Sequence, residues 1–329
     1  MTKISIWAGE GCLSSNVNML FDALAVAELW HRADDNTKEP LFEIEVLTSD
    51  GKPVTGYGGL IVHPHRSIMD VERTDFLMLA TIMPNVAPMP PGLSVLKAWI
   101  EALRKNNTPV STICTGAFLL AEMGFLSGKT ATTNWHYARL FRRNYPDVNL
   151  KPKLMMAEDG GFITTGATTA GYNLVLHIIR TFCSEKLASL CSKIFLVDPG
   201  RDSQTPYTIS TPLKGHGDQQ ILKAQMIIEQ EYPSLKSIDS IAKTVGISHR
   251  HFSRRFRQAT GELPVKYLQR TRIDAAKELL ETTLKTTDEI TWDVGYQDVS
   301  SFCRLFRKAT ELSPKAYRDK FFCGVQPGL

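Results

Sequence analysis

One stretch of this chain occurs twice, and the repetition limits what the carboxyl-terminal third can fold into. SIAKTVGISHRHFSRRFRQATGELPVKYLQR, beginning at Ser240, returns as EITWDVGYQDVSSFCRLFRKATELSPKAYRD, beginning at Glu289. Ile241, Val245 and Gly246 match Ile290, Val294 and Gly295 at an offset of 49. Phe252, Phe256, Ala259, Thr260, Pro264 and Tyr267 match Phe302, Phe306, Ala309, Thr310, Pro314 and Tyr317 at an offset of 50, so one residue is inserted at the turn. In the first copy Ile238, Ile241, Ala242 and Val245 make a short apolar stripe ending at Gly246. Phe252, Phe256 and Ala259 then recur at helical spacing. Ser248 precedes them as a good N-cap, because its hydroxyl can accept from free N–H groups at a helix start. Two short helices joined at a glycine read as a helix-turn-helix. Between the copies, PVKYLQRTRIDAAKELLETT is a helix sequence with Val265, Leu268, Ile273, Ala276, Leu279 and Leu280 apolar, and Pro264 suits its start. The chain therefore carries two helix-turn-helix units, about 237–260 and 286–310, on either side of one connecting helix.

The stretch Ser248 to Gly261 holds four arginines, two histidines and no acid. His249, Arg250, His251, Arg254 and Arg257 are candidates to face DNA, some at phosphates and some at base edges. Arg255 is turned about 100° from Arg254 around the helix and is expected to pair within the protein. In the second unit Gln297, Asp298, Ser300, Ser301 and Arg304 are the candidates, with Ser300, Ser301 and Arg304 matching Arg250, His251 and Arg254 at the offset of 50. That face is less basic and carries an acid, so the first helix is expected to supply more affinity. Two such helices can enter successive major-groove segments roughly 34 Å apart on one face of double-stranded DNA. Charge agrees in sign: from Asp218 onward there are 18 Lys+Arg against 14 Asp+Glu, whereas the rest has 20 of each. The excess is modest and carries the argument only together with the repeat.

The two-unit arrangement, with its RLFRKATELSPKAYR ending, resembles the AraC/XylS family of transcription regulators over about residues 218–322. The resemblance implies sequence-specific binding to promoter or operator DNA, with RNA polymerase as a further candidate partner.

The amino-terminal two thirds alternate strands with helices. KISIW and FEIEVLTS are strand sequences, GLIVHPH and DFLMLAT read as two more, and the second of these is apolar on both faces and so central. A helix is expected from roughly Met19 to His31 with Leu20, Ala23, Leu24, Ala27 and Leu29 inward, and another over Gly92 to Lys105. PVSTIC is a strand, GAFLLAEMGFLSG a helix ending in glycine, KLMMAEDGGFITTG a hairpin, and TTAGYNLVLHIIRTF an apolar helix. The expectation is an α/β doubly wound domain over residues 1–197, a linker over 198–217, and an all-α domain over 218–322. The linker's prolines, glycines and hydroxyl residues argue against a regular element there.

At Ile113-Cys114-Thr115-Gly116 a strand runs straight into a helix. The thiol then sits on a sharp turn at the carboxyl end of the sheet, where α/β folds place ligands. A helix start would favour thiolate. The segment resembles the nucleophile elbow of the PfpI/glutamine-amidotransferase-like superfamily, and AEMGFLSGKTATTNW and TTGATTAGYNLVLHII extend the likeness over about residues 1–195. The resemblance implies a flavodoxin-like, class I glutamine-amidotransferase-like fold. For the whole chain, the fusion resembles the GlxA-like regulator group, which implies a homodimer through the amino-terminal domains.

Two departures follow from that resemblance. Superfamily members with hydrolytic or redox activity place an acid beside the cysteine, and the matching position here is Asn16. A histidine usually follows the cysteine by 20 residues, and here that position is Asn134. Asparagine neither takes a proton from a thiol nor relays one. The expected role is a pocket for a small polar or nitrogen-containing effector at Asn16, Cys114, Thr115, Asn134 and Trp135, with no catalytic residue and no cofactor. A cysteine-dependent hydratase or amidase, or a thiol redox sensor, is the competing class.

Other features exclude more than they propose. The six cysteines show no CxxC pairing or disulfide-framework spacing. No apolar run approaches the ~20 residues needed to span a bilayer, and no charged-then-apolar export signal opens the chain. A cytoplasmic protein with reduced thiols and no membrane partner is expected. His63 and His65 in H-P-H lack an accompanying ligand cluster, so no metal is expected.

Overall fold

The computed structural model describes residues 1–33, 39–83 and 92–323. The chain divides into two compact units, Met1–Gln204 and Thr205–Leu329. The boundary falls inside the stretch read as a linker.

The first unit opens with β1 (Thr2–Trp7), α1 (Ser14–Arg32), β2 (Phe42–Thr48) and the short strands β3 (Val54–Thr55), β4 (Ile61–Val62) and β5 (Arg66–Ser67). Then come β6 (Phe76–Leu79), α2 (Leu93–Lys105), β7 (Val110–Thr112) and α3 (Ala117–Glu122). It closes with β8 (Thr130–Ala131), α4 (Ala138–Asn144), β9 (Asn149–Leu150), β10 (Met156–Asp159), β11 (Phe162–Thr165), α5 (Ala170–Phe182) and α6 (Glu185–Ile194). The main sheet runs β10-β11-β7-β6-β1-β2-β5. Every neighbouring pair is parallel except β10 and β11, which form the expected hairpin around Gly160 and Gly161. This is the doubly wound α/β fold, and β6 (FLML, wholly buried) lies in its middle as its two-sided apolar sequence requires.

Several elements differ from expectation for identifiable reasons. Helix α1 begins at Ser14, more than a turn early, because Leu13 N–H donates to the Thr81 carbonyl (2.8 Å) and holds the helix start against the sheet. Leu29, expected inward, is 66% exposed. GLIVHPH forms only the two-residue β4, paired with β3 outside the main sheet. There His65 is committed elsewhere: its Nδ1 accepts from Val46 N–H at 3.0 Å. Helix α3 stops at Glu122 instead of running on to Gly128, since Gly124 takes a left-handed φ of 80°. In β2 the alternating polar position Glu45 is buried, because it accepts from Ser5 and Arg66 and lies 3.5 Å from Lys3 Nζ.

The second unit comprises α7 (Gln219–Glu231), α8 (Ile238–Thr244), α9 (His249–Thr260), α10 (Pro264–Thr282), α11 (Thr287–Asp293), α12 (Val299–Thr310) and α13 (Pro314–Phe321). It has two cores. Ile221, Ile228, Ile241, Phe252, Phe256 and Tyr267 belong to the first; Ile273, Leu280, Ile290, Phe302, Phe306 and Tyr317 belong to the second. Helix α10 serves both, giving Tyr267 and Leu268 to one and Ile273, Ala276 and Leu280 to the other. The repeat extends to contacts. Phe256 and Tyr267 meet edge to face at 5.2 Å, as do Phe306 and Tyr317 at 5.4 Å. Tyr267 donates to Glu229, and Tyr317 to Glu281. Val265, in contrast, is half exposed, because Tyr267 takes the inward position on that turn.

Candidate functional site

The elbow at Cys114 forms because Thr112 ends β7 and the chain must reverse into α3 within three residues. Cys114 takes a φ of 57°, which a residue with a Cβ adopts only under constraint. Gly116 permits the turn, since a Cβ there would collide with the Thr112 side chain. A set of hydrogen bonds joins the carboxyl ends of the central strands around this point. Thr81 Oγ1 donates to the Ile113 carbonyl (2.6 Å), Thr115 Oγ1 donates to the Ile82 carbonyl, and Ile82 bridges to Cys12 just before α1. From the other side Thr133 Oγ1 donates to the Cys114 carbonyl at 2.8 Å.

The polar groups gathered here are neutral. The Asn134 amide and Thr115 hydrogen-bond the Cys114 thiol, yet burial outweighs them and pushes the thiol above its ordinary value. This corrects the expectation of a thiolate: Cys114 is 5% exposed, and loss of solvation exceeds what the helix start and its donors return. Among the described residues no ionised side chain contributes to that shift. Tyr137 is raised by burial, with the Cys114 thiol and Tyr57 as lesser electrostatic neighbours. Asn16 is fully buried in the first turn of α1, and both of its amide atoms lack a hydrogen-bond partner. Trp135 is half-buried, and its N–H lies 3.4 Å from Gln204 Oε1. His136 is exposed, and its backbone N–H donates to Asn134 Oδ1 at 2.9 Å.

Sequence reasoning did not find Tyr57, Thr133, Tyr137 or Gln204. Thr133 lies in the quoted ATTNW stretch beside Asn134 without being singled out there, and Tyr57, Tyr137 and Gln204 carry no motif.

In the second unit, each helix-turn-helix turns at a left-handed glycine, Gly246 (φ 71°) and Gly295 (φ 87°). The buried phenylalanines of α9 and α12 fix the opposite helix faces outward. His249, Arg250, His251, Arg254 and Arg257 are exposed, as are Gln297, Asp298, Ser300 and Arg304, while Ser301 is half-buried. Arg255 is withdrawn, bonded to Asp218 and Gln220 as its angular position predicts. His249 Nε2 lies 3.2 Å from Asp239 Oδ1. Ser248 stands at the N-cap of α9 with extended backbone but makes no capping bond. Its counterpart Asp298 does cap α12, accepting from Ser301 N–H at 2.7 Å. Those donors hold the Asp298 carboxyl below its ordinary value.

An elbow-bearing α/β unit followed by paired, outward-facing basic helices defines a DNA-binding transcription regulator. Residues 6–181 match the DJ-1/PfpI family model, and residues 241–320 match that of a helix-turn-helix domain, here of AraC type. The chain belongs to the DJ-1/PfpI family. It is similar to the HTH-type transcriptional regulator CdhR of Pseudomonas aeruginosa, 26% identical over 84% of this chain and 82% of that protein. It is similar also to GbdR of the same species, 22% identical over 93% and 83%, and to GlxA of Rhizobium meliloti, 23% identical over 67% and 68%. The first unit shares its fold with a crystal structure from Vibrio parahaemolyticus, at a TM-score of 0.50 and 20% identity, covering 59% of this chain and 98% of that one.

Proposed function

We propose that this regulator's hold on DNA is set by a small polar metabolite bound at the Cys114 site. The observation that carries the reading is Asn16. An amide with a donor and an acceptor both buried and unpartnered costs about 1–3 kcal/mol for a group left unsatisfied, and a ligand presenting the complementary pair would remove that cost. Cys114, Thr115, Asn134 and Trp135 supply the rest of the site. Turnover has no support in the chemistry: neither Asn16 nor Asn134 can move a proton, and the thiol is protonated at neutral pH. The same protonation weighs against a peroxide-sensing thiol.

On DNA, Arg250, Arg254 and Arg257, with His249 and His251, act as the stronger half-site reader. Gln297, Ser300, Ser301 and Arg304 act as the weaker one, with Asp298 orienting its helix start. A homodimer would double the footprint, and an activating role would add RNA polymerase as a partner. A chromosomal target places the protein in the cytoplasm.

Capture of genomic fragments by purified full-length protein at about 150 mM salt suppresses non-specific phosphate binding. Discrete sites sharing a motif are expected, and unenriched capture would overturn DNA-sequence recognition. Metabolites of the flanking genes are then screened by thermal shift. A ligand that stabilises the wild type but not Asn16→Leu places it at this site, whereas equal stabilisation of both would place it elsewhere.

A further inference from the structure

The two halves of the second unit repeat beyond the helix-turn-helix itself. Ile221, Ala224, Gln225, Ile228 and Glu229 of α7 match Ile273, Ala276, Lys277, Leu280 and Glu281 of α10 at an offset of 52. The apolar members are buried in both halves, and each glutamate accepts from a tyrosine, Tyr267 in one half and Tyr317 in the other. One position breaks the pattern. In the first half it is Gln225, fully buried and used at both ends of its amide. Its Nε2 donates to the Leu213 carbonyl at 2.9 Å and to the Tyr267 hydroxyl at 3.1 Å, and its Oε1 lies 2.9 Å from His216 Nε2. In the second half the same position is Lys277.

Lys277 is 9% exposed, the one buried lysine among the described residues. An ammonium has three donors. This one makes a single hydrogen bond among the described residues, to the Thr208 carbonyl at 2.9 Å, and the Asp274 carboxylate stands off at 3.8 Å. Beside it is a cavity of about 310 Å³ whose lining belongs wholly to the second unit. Lys266, Arg270, Lys277 and Lys308 line it, against one acid, Asp274. Arg270 is committed to Glu262 through Nε and Nη2, whereas Lys308 is exposed on α12. Ile273 and Leu305 add apolar surface. Burial pushes the Lys277 ammonium below its ordinary value and the Asp274 carboxyl above its own.

We infer that this recess is a binding site for a small organic anion bearing a carboxylate or phosphate group, with Lys277 and Lys308 as its principal contacts. The first half shows that a neutral amide satisfies this position with partners from the chain alone. A lysine with one hydrogen bond is costly to bury, and the charge-assisted bonds of an oxyanion offset that cost. The volume lies at the small end of ligand pockets, roughly 300–1,000 Å³, which suits a metabolite. Leu305 and Lys308 belong to α12 and Ile273 and Lys277 to α10, so an occupant would bridge the second recognition helix to the connecting helix. The site is separate from Cys114 and does not depend on a ligand there.

The test is titration calorimetry on the DNA-free full chain, with inorganic phosphate and citrate as probes at matched ionic strength. At least one probe is expected to bind with Kd below about 1 mM. Lys277→Gln, which places the first half's residue in the second, is expected to weaken it at least about tenfold, the low end for a lost charge-assisted bond. Lys308→Ala should weaken it about threefold, as for an exposed charge, and carries the test if Lys277→Gln does not fold. Lys243→Ala, an exposed lysine on α8, should change nothing. Neither probe binding at about 10 mM, equal binding by wild type and the Lys277 and Lys308 variants, or an equal loss in Lys243→Ala would overturn the site. So would a fall of about 1 in the salt slope of operator binding in Lys277→Gln, which would assign Lys277 to a DNA phosphate. Calorimetry needs neither an operator nor the Cys114 metabolite, so this site and that one fail separately.

Discussion

The Arg255 guanidinium grips the Asp218 carboxylate with two parallel hydrogen bonds, Nε to Oδ2 at 3.0 Å and Nη2 to Oδ1 at 2.8 Å. Arg254, its neighbour in sequence, is exposed to solvent. Consecutive arginines therefore serve different ends. Arg255→Ala should cost about 1 kcal/mol of stability, as for a well-made, partly exposed pair. Arg254→Ala should leave the melting temperature unchanged and weaken operator binding by about 1–3 kcal/mol, with little loss on random DNA, because a base contact is lost. Equal losses on both DNAs would instead assign Arg254 to a phosphate.

Salt dependence separates the two recognition helices. Each phosphate contact adds about 0.9 to the slope of log K against log salt. The double change Arg250→Ala with Arg257→Ala should lower that slope by about 2, and Arg304→Ala by no more than about 1. Titrations at several salt concentrations measure it.

The Cys114 thiol is raised above its ordinary value of 9.0 by burial. Below the folded value the thiolate fraction grows about tenfold per pH unit. Alkylation of Cys114 should therefore still be climbing at pH 9, with no plateau, whereas a plateau near neutrality would show a stabilised thiolate and revive the enzyme reading. Cys114→Ser should leave operator affinity in the absence of metabolite unchanged.

Asn16→Leu removes a buried amide that has no partner in the free protein. Denaturant unfolding should show a gain of about 1–2 kcal/mol, together with loss of any metabolite response. A loss of stability would mean that Asn16 is satisfied within the protein and has no ligand to wait for.

The two cores of the second unit share α10, and Tyr232 packs against both. Phe256→Ala and Phe306→Ala should each cost about 3–5 kcal/mol. Hydrogen exchange should show the loosening confined to the mutated half, α8 and α9 in one case and α11 and α12 in the other.

Much of this was legible in the residues because it depends on local periodicity. The repeat, its phenylalanines and its two glycines define both helix-turn-helix units, since helix faces and turn conformations follow from spacing and φ preference alone. The all-apolar FLML gave a central strand for the same reason, and the ICTG turn located the elbow. What failed was whatever depended on a distant partner. Leu29 looked inward from its spacing, but it is 66% exposed. Glu45 is a polar position of its strand that the fold buries against Ser5, Arg66 and Lys3. Ser248 had capping chemistry without the geometry, and Asp298 had both.

The Cys114 thiol marks where the two kinds of information part. Its place at the end of β7 was fixed by residues 113–116, because a strand leading into a glycine-containing turn constrains its own backbone. Its protonation was decided by the depth of burial, which outweighs the bonds from Asn134 and Thr115 and comes from segments folded over it. Gln204 shows the same division, being one more polar residue in a proline- and glycine-rich stretch until the fold surrounds it with the carbonyls of Thr133, Pro152 and Leu154. Local conformation is set by interactions a few residues apart, but solvation and hydrogen-bond partners are properties of the assembled surroundings.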